Sequence, residues 1–281
     1  MPSAFAQAGK STGHVARAPT LARSRKGNRM LPNAGDPERR LPTGRAALDV
    51  SPMNVVPAEF ARFIDHTLLR PDATAADVER LCSEAARHRF HAVCVHGSRV
   101  ALASARLEDA GAGVLVASVV GFPMGASDTD SKRFEVESVI DHGAQEVDVV
   151  MNVGRLKDGD DRGLLRELRD LVEAAEVVPV KLIVETCLLT DDEKRRACAL
   201  AVEAGVKMVK TSTGFGRAGA TVEDVRLLRE CVPAMMGVKA SGGIRDATTA
   251  LAMIDAGATR LGTSAGVAIM EGLHGLQDGA Y

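Results

Sequence analysis

Residues 203–216 read E-A-G-V-K-M-V-K-T-S-T-G-F-G, and their order decides the fold. A small residue and a glycine close one segment, an apolar run carries Lys210, and hydroxyls and glycines follow. Glycine directly after a helical pattern marks a left-handed cap. A short β-rich run bounded by turn residues reads as a strand. Small residues after a strand expose backbone N–H groups that can cradle an anion. Helix end, strand and anion loop therefore succeed one another here, with a lysine delivered at the strand's end.

The same order repeats on both sides. Asp109-Ala110-Gly111, Asp141-His142-Gly143 and Asp255-Ala256-Gly257 close other helical segments, each before a β-rich run. Strands are expected at 63–67, 91–95, 114–120, 146–152, 180–185, 207–211, 237–240 and 260–263. Most are rich in Val and Ile with little alternation, as parallel strands covered on both faces are. Between them, Val78, Leu81, Cys82 and Ala85, and later Leu164, Leu168, Leu171 and Val172, fall at helical spacing. Thr190-Asp191-Asp192-Glu193 fits a capping box, and Thr74 and Thr221 precede acids at the third position.

Eight strands alternating with helices over about 225 residues predict a single (β/α)8 TIM barrel, for which about 250 residues is typical. A short N-terminal helix is expected before the first strand. An open doubly wound sheet could be built from the same alternation, but the first strand is not followed by G-x-G-x-x-G. The domain division expected is 1–52 as a disordered basic extension and 53–281 as the barrel.

The extension reading rests on composition. Residues 1–50 hold nine Lys or Arg against three acids, +6 locally, which leaves −8 for the remainder of a chain of net charge −2. Rich in Pro, Gly, Ser and Arg and without periodicity, the segment lacks the apolar surface needed to offset the entropy of ordering it. Three readings of it stay open: a dispensable tail, a start upstream of true initiation at Met30 or Met53, and a targeting or docking arm.

Composition also bounds the partners. With 46% hydrophobic and 26% charged residues the chain is of globular type, and no run approaches the roughly 18 apolar residues of a membrane helix. The small net charge, the absence of Trp and a single Tyr argue against a nucleic-acid partner. Five widely spaced cysteines without a CxxC pair read as reduced thiols, so a cytoplasmic protein is expected, with neither membrane nor nucleic acid as partner.

In a barrel the chemistry sits where strands end at their C-terminal edge. Asp65, His66 and Thr67 stand there on the first strand, Cys94 and His96 on the second, and Asp148 and Asn152 on the fourth. Lys181 and Glu185 follow on the fifth, Lys210 and Thr213 on the sixth, and Lys239 and Ser241 on the seventh. Charges inside apolar strands are costly unless paired or functional, so Asp65, Asp148, Lys210 and Lys239 are expected to meet inside the barrel. One reading makes them a buried ion-pair network that holds the barrel together. The other makes one lysine a nucleophile, deprotonated by burial and by its cationic neighbour, with an acid to move protons. The loops Thr213-Gly214, Ser241-Gly242-Gly243 and Thr263-Ser264-Ala265-Gly266 favour the second, because three consecutive small-residue loops suit a phosphate. Histidines at His66, His91 and His96 lack HxH or HExxH spacing, and no metal or cofactor is expected.

The runs Ile64-Asp65-His66-Thr67-Leu68-Leu69, Glu146-Val147-Asp148-Val149-Val150, Lys210-Thr211-Ser212-Thr213-Gly214-Phe215-Gly216, Val238-Lys239-Ala240-Ser241-Gly242-Gly243-Ile244-Arg245 and Gly262-Thr263-Ser264 resemble those of the 2-deoxyribose-5-phosphate aldolase family. The resemblance runs in order from about Pro57 onward. It implies a class I, metal-free aldolase, a carbon-carbon lyase of deoxynucleoside and deoxyribose phosphate catabolism. Such an enzyme cleaves 2-deoxy-D-ribose 5-phosphate to D-glyceraldehyde 3-phosphate and acetaldehyde through a lysine Schiff base. By motif, Lys210 would form the Schiff base, Lys239 would lower its pKa, Asp148 would transfer protons, and Asp65 would hold Lys239. Cys94 and Thr67 would contact substrate, phosphate would fall to Gly214, Gly242, Gly243 and Ser264 with Thr213 and Arg245 at its edge, and Lys181 would pair near Glu185. Tyr281, the only tyrosine, is either a frayed end or a proton relay folded over the barrel mouth. A phosphorylated sugar is the implied partner, and a homodimer is among the expected assemblies. A non-catalytic sugar-phosphate sensor would share the glycine loops but has no use for two buried lysines and an acid.

Overall fold

The computed structural model describes residues 56–278. The expected extension at 1–52 and Tyr281 lie outside these residues. Eight strands, β1 (Ile64–Leu68), β2 (Ala92–Val95), β3 (Leu115–Val120), β4 (Glu146–Val150), β5 (Val180–Ile183), β6 (Met208–Lys210), β7 (Gly237–Ser241) and β8 (Arg260–Thr263), pair in sequence order into a closed barrel. All pairs are parallel, and β1 closes the ring against β8. The register sets Asp148 beside Lys181, Lys210 beside Lys239, and Lys239 beside Arg260.

The helices are α1 (Pro57–Phe60), α2 (Ala75–His88), α3 (Val100–Ala110), α4 (Thr129–Asp141), α5 (Val153–Lys157), α6 (Asp161–Ala174), α7 (Asp191–Ala204), α8 (Val222–Cys231), α9 (Ala247–Asp255) and α10 (Gly266–Asp278). Thr74 and Thr190 complete capping boxes with Asp77 and Glu193, and Thr221 caps α8 through Asp224 N–H. Such caps satisfy backbone donors that a helix start leaves orphaned. Gly205 ends α7 in the left-handed conformation. The apolar stripe of α2 buries Val78, Leu81, Cys82 and Ala85, and that of α6 buries Leu164, Leu168 and Leu171. Truncating one such leucine to alanine costs about 2–5 kcal/mol.

Strand ends differ from expectation by a residue or two. β4 stops at Val150 because Asn152 turns to cap α5, its side chain accepting from Arg155 N–H. Outward residues of the strands, among them Val93, Val147, Leu182, Val209, Val238 and Leu261, pack under the helices. The inward residues Ala92 and Cys94 of β2 and Ala117 and Val119 of β3 form a separate apolar wall with Leu69. Outside the ring, buried Lys132 of α4 donates to Glu167 of α6 at 2.7 Å and to the Val150 carbonyl at 3.0 Å, fastening two helices to the end of β4. Among the described residues no helix is long and apolar enough to cross a membrane.

Candidate active site

Across from the apolar wall, the barrel interior is charged. Asp148 Oδ2 accepts from Lys210 Nζ and from Lys239 Nζ, each at 2.8 Å, and its Oδ1 accepts from Lys181 Nζ at 2.8 Å. Asp65 Oδ2 accepts from Lys239 and, at 3.5 Å, from Lys181, while its Oδ1 accepts from Arg260 at 2.9 Å. Glu146 Oε2 lies 2.6 Å from Lys181 and 3.0 Å from Arg260, and its Oε1 stands 3.3 Å from His91 Nε2. Three carboxylates thus face four cations, all of them buried. With every group ionised the set carries one surplus positive charge. Burial of this kind is tolerated only where each charge has partners.

The electrostatics follow from the contacts. Burial by itself would raise the Asp148 carboxyl, but Lys181, Lys210 and Lys239 outweigh it and hold the group well below the usual carboxylate range. Asp65 is likewise held low, burial being overcome by Lys239, Lys181 and Arg260. Burial would lower Lys239, yet Asp148 and Asp65 raise it, so it stays an ammonium. Burial, reinforced by the Asp148 charge, raises the Cys94 thiol, which stays protonated.

Lys210 is the one member of this network that also lines a cavity, of about 310 Å³, at the C-terminal end of the barrel. Thr67, Thr213, Gly214, Gly242, Gly243 and Ser264 line it as well, with Arg245 at its rim. The loops after β6 and β7 are stitched together: Ser241 N–H donates to Thr211 Oγ1 at 3.1 Å, and Ser241 Oγ donates to the Ser212 carbonyl at 2.5 Å. Gly242 is left-handed (φ 85°), and a Cβ there would stand 2.9 Å from Gly219 Cα and 3.4 Å from Gly214 Cα. Only glycine lets these turns approach so closely. Phe215, half exposed beside the cavity, meets Phe122 edge-on at 5.3 Å.

The structure therefore brings Asp65, Asp148, Lys210 and Lys239 together and puts Thr67, Thr213, Gly214, Gly242, Gly243 and Ser264 around one opening. Cys94 lies in the apolar wall, not among the cavity's lining residues. The expected pairing of Lys181 with Glu185 is corrected: Lys181 binds Asp148, Glu146 and Asp65. Four positions along a strand are about 13 Å apart, and Glu185, beyond the end of β5, turns instead to Thr213. Sequence reasoning passed over Glu146 and Arg260. Their signal was the alternation of strand side chains, since Glu146 lies two residues before Asp148 and shares its face. Among the histidines, His66 Nε2 pairs with Glu84 at 2.8 Å and His96 Nε2 with the Leu69 carbonyl at 2.9 Å, both away from the lysines. Among the described residues no cluster of three His, Cys, Asp or Glu is placed to hold a metal ion.

The chain belongs to a known family of aldolases. The model of the family described as DeoC/LacD family aldolase matches residues 60–272. The deoxyribose-phosphate aldolase of Thermococcus gammatolerans is 53% identical over 220 residues, which cover 78% of this chain and 98% of that protein. That of a Geobacillus species is 54% identical over 214 residues, 76% of this chain and 95% of that protein. The solved tetrameric deoxyribose phosphate aldolase of Aeropyrum pernix superposes with a TM-score of 0.75 at 33% identity, covering 84% of this chain and all of that one.

Proposed function

We propose, because the chain belongs to the DeoC/LacD family of aldolases, that it is a deoxyribose-phosphate aldolase working through a Schiff base on Lys210. The observation that carries this reading is the position of Lys210, which touches both the buried charge network and the cavity ringed by glycine loops. Its substrate is 2-deoxy-D-ribose 5-phosphate in the open-chain form, with the phosphate at Gly214, Gly242, Gly243 and Ser264 and the aldehyde at Lys210.

The neutral Lys210 amine adds to the aldehyde carbon, and loss of water from the carbinolamine leaves an iminium. The C3 hydroxyl then gives up its proton, the C2–C3 bond breaks, and D-glyceraldehyde 3-phosphate departs. The electron pair of that bond remains as an enamine, which takes a proton at carbon and is hydrolysed to acetaldehyde and free Lys210. Asp148, 2.8 Å from Lys210, is the group placed to pass these protons. Lys239 repels a second ammonium beside it and, held by Asp65, stays in place. Four cations to three carboxylates also favour the reading, because a neutral Lys210 brings the interior into charge balance. Thr67 and Thr213 flank the substrate, and a contact to Cys94 requires the substrate's carbon chain to reach past Lys210 into the β2–β3 wall. The relay through Tyr281 and a place in deoxyribose phosphate breakdown belong to the same proposal. A homodimer remains the proposed assembly; sedimentation tells it from the four copies of the Aeropyrum pernix relative.

The test is turnover of 2-deoxyribose 5-phosphate in the presence of EDTA, together with borohydride trapping of acetaldehyde. Wild type is expected to turn over and to gain an ethyl mass adduct on Lys210, and K210A to do neither. Turnover retained in K210A overturns the proposal.

A further inference from the structure

Glu185 is a buried carboxylate that the reaction above does not use. It follows β5, and its backbone is left-handed, with φ 55° and ψ 66°. That conformation is disfavoured for any residue with a Cβ and persists only where the surroundings impose it. Among the described residues the other two left-handed non-glycine positions, Arg89 and Glu176, are exposed and sit at helix ends. Glu185 alone is buried, and it lies behind a loop that lines the cavity.

Its two oxygens have different tasks. Oε2 accepts from Thr213 Oγ1 at 2.5 Å and from Thr213 N–H at 3.2 Å. Thr213 Oγ1 in turn accepts from Phe215 N–H at 3.0 Å. Oε1 accepts weakly from the Cys187 thiol at 3.6 Å and lies beside Gly216, where an added Cβ would stand 3.0 Å from it. Arg217 adds a second tie, its Nε donating to the Cys187 carbonyl at 2.9 Å. One carboxylate thus takes up both donors of Thr213 at the start of the turn and leaves no room for a side chain at Gly216 at its end. Gly214 lines the cavity between Thr213 and Phe215, and its Cα would stand 3.4 Å from a Cβ on Gly242.

We propose that Glu185 is the positioning residue of the phosphate-binding turn, fixing where Gly214 stands and so setting affinity for the substrate's phosphate while leaving the chemistry at Lys210 alone. This rests on the reading of the cavity as a sugar-phosphate site. A charge-assisted hydrogen bond orders the turn before substrate arrives, and a left-handed backbone is retained because it aims the carboxylate.

Two readouts separate the roles: KM for 2-deoxyribose 5-phosphate, and the rate at which acetaldehyde, which has no phosphate, is trapped on Lys210 by borohydride. E185Q keeps the side chain's shape but replaces one acceptor oxygen with a donor. It is expected to raise KM roughly tenfold while trapping stays within about twofold of wild type. E185D keeps the charge, draws it back by one methylene and tolerates the left-handed backbone, and is expected to fall between; should E185Q not fold, E185D carries the test. Unchanged KM in the folded variants overturns the proposal, and so does an equal loss in both readouts. If wild type itself neither turns over the sugar phosphate nor forms the adduct, the functional reading fails and this inference falls with it.

Discussion

Lys210 and Lys239 donate to the same oxygen, Oδ2 of Asp148, each at 2.8 Å. One carboxylate oxygen is shared by two amines whose other surroundings differ. Lys239 has a second acid, Asp65, and Lys210 has the cavity.

Replacing Lys239 with glutamine removes the cation beside Lys210 and leaves Asp148 with one donor fewer. We expect turnover to fall by about 100-fold and acetaldehyde trapping on Lys210 to slow with it. Trapping rates of K239Q and wild type compared across pH check this; superimposable profiles refute the neighbour effect.

Asp148 touches three lysines. Asn at this position leaves Lys181 and Lys239 in the interior with one acid fewer, and breaking a buried pair in this way costs about 3–5 kcal/mol. Urea unfolding of D148N is expected to show that loss together with loss of turnover. A variant as stable as wild type would remove the structural half of the network's role.

Acid should loosen the barrel from the inside. The Glu146 carboxyl, ordinarily near 4.5, is held at about 2; burial pushes it up, but the His91 hydrogen bond, Lys181 and Arg260 outweigh burial. A depressed carboxyl contributes stability that is fully present above its unfolded value and drains away as pH falls toward the folded one. The contribution of Glu146 to the unfolding free energy should therefore decline between about pH 4.5 and 2, and the acid-side slope should be shallower in E146Q. Denaturant titrations at a series of pH values give the slope.

At Gly242 an alanine would need both a left-handed backbone and space that Gly219 Cα occupies. Because the obstacle is backbone, the two loops must part. G242A is expected to raise KM for the phosphorylated sugar by roughly tenfold or more while still forming the acetaldehyde adduct. Equal damage to both would show that the loops serve the lysine and not the phosphate.

The features legible in the sequence are those whose causes are local. Thr74 and Thr190 announce helix starts because each cap closes within three residues. Lys210 and Lys239 stand out because an apolar strand and a glycine loop flank them in the chain. Partners across the barrel are different. Glu146 meets Arg260 over a separation of 114 residues, and only closure of the ring puts them together. The family resemblance pairs Lys181 near Glu185, whereas register and strand rise assign it to Asp148. Glu185 shows its charge in the sequence, but its left-handed backbone leaves no signature there.

The interior is divided by strand: Ala92, Cys94, Ala117 and Val119 on β2 and β3 carry no charge, and the ion network belongs to β1 and β4 to β8. Substitutions that share no partners combine additively, and members of one hydrogen-bonded network do not. Directed evolution of this barrel thus meets two regimes in one cross-section. On β2 and β3, where Cys94 stands beside Ala117 in one packed wall, an exchange has to conserve the wall's summed volume, whereas among the inward charges of the other six strands it has to conserve the pairing of charge.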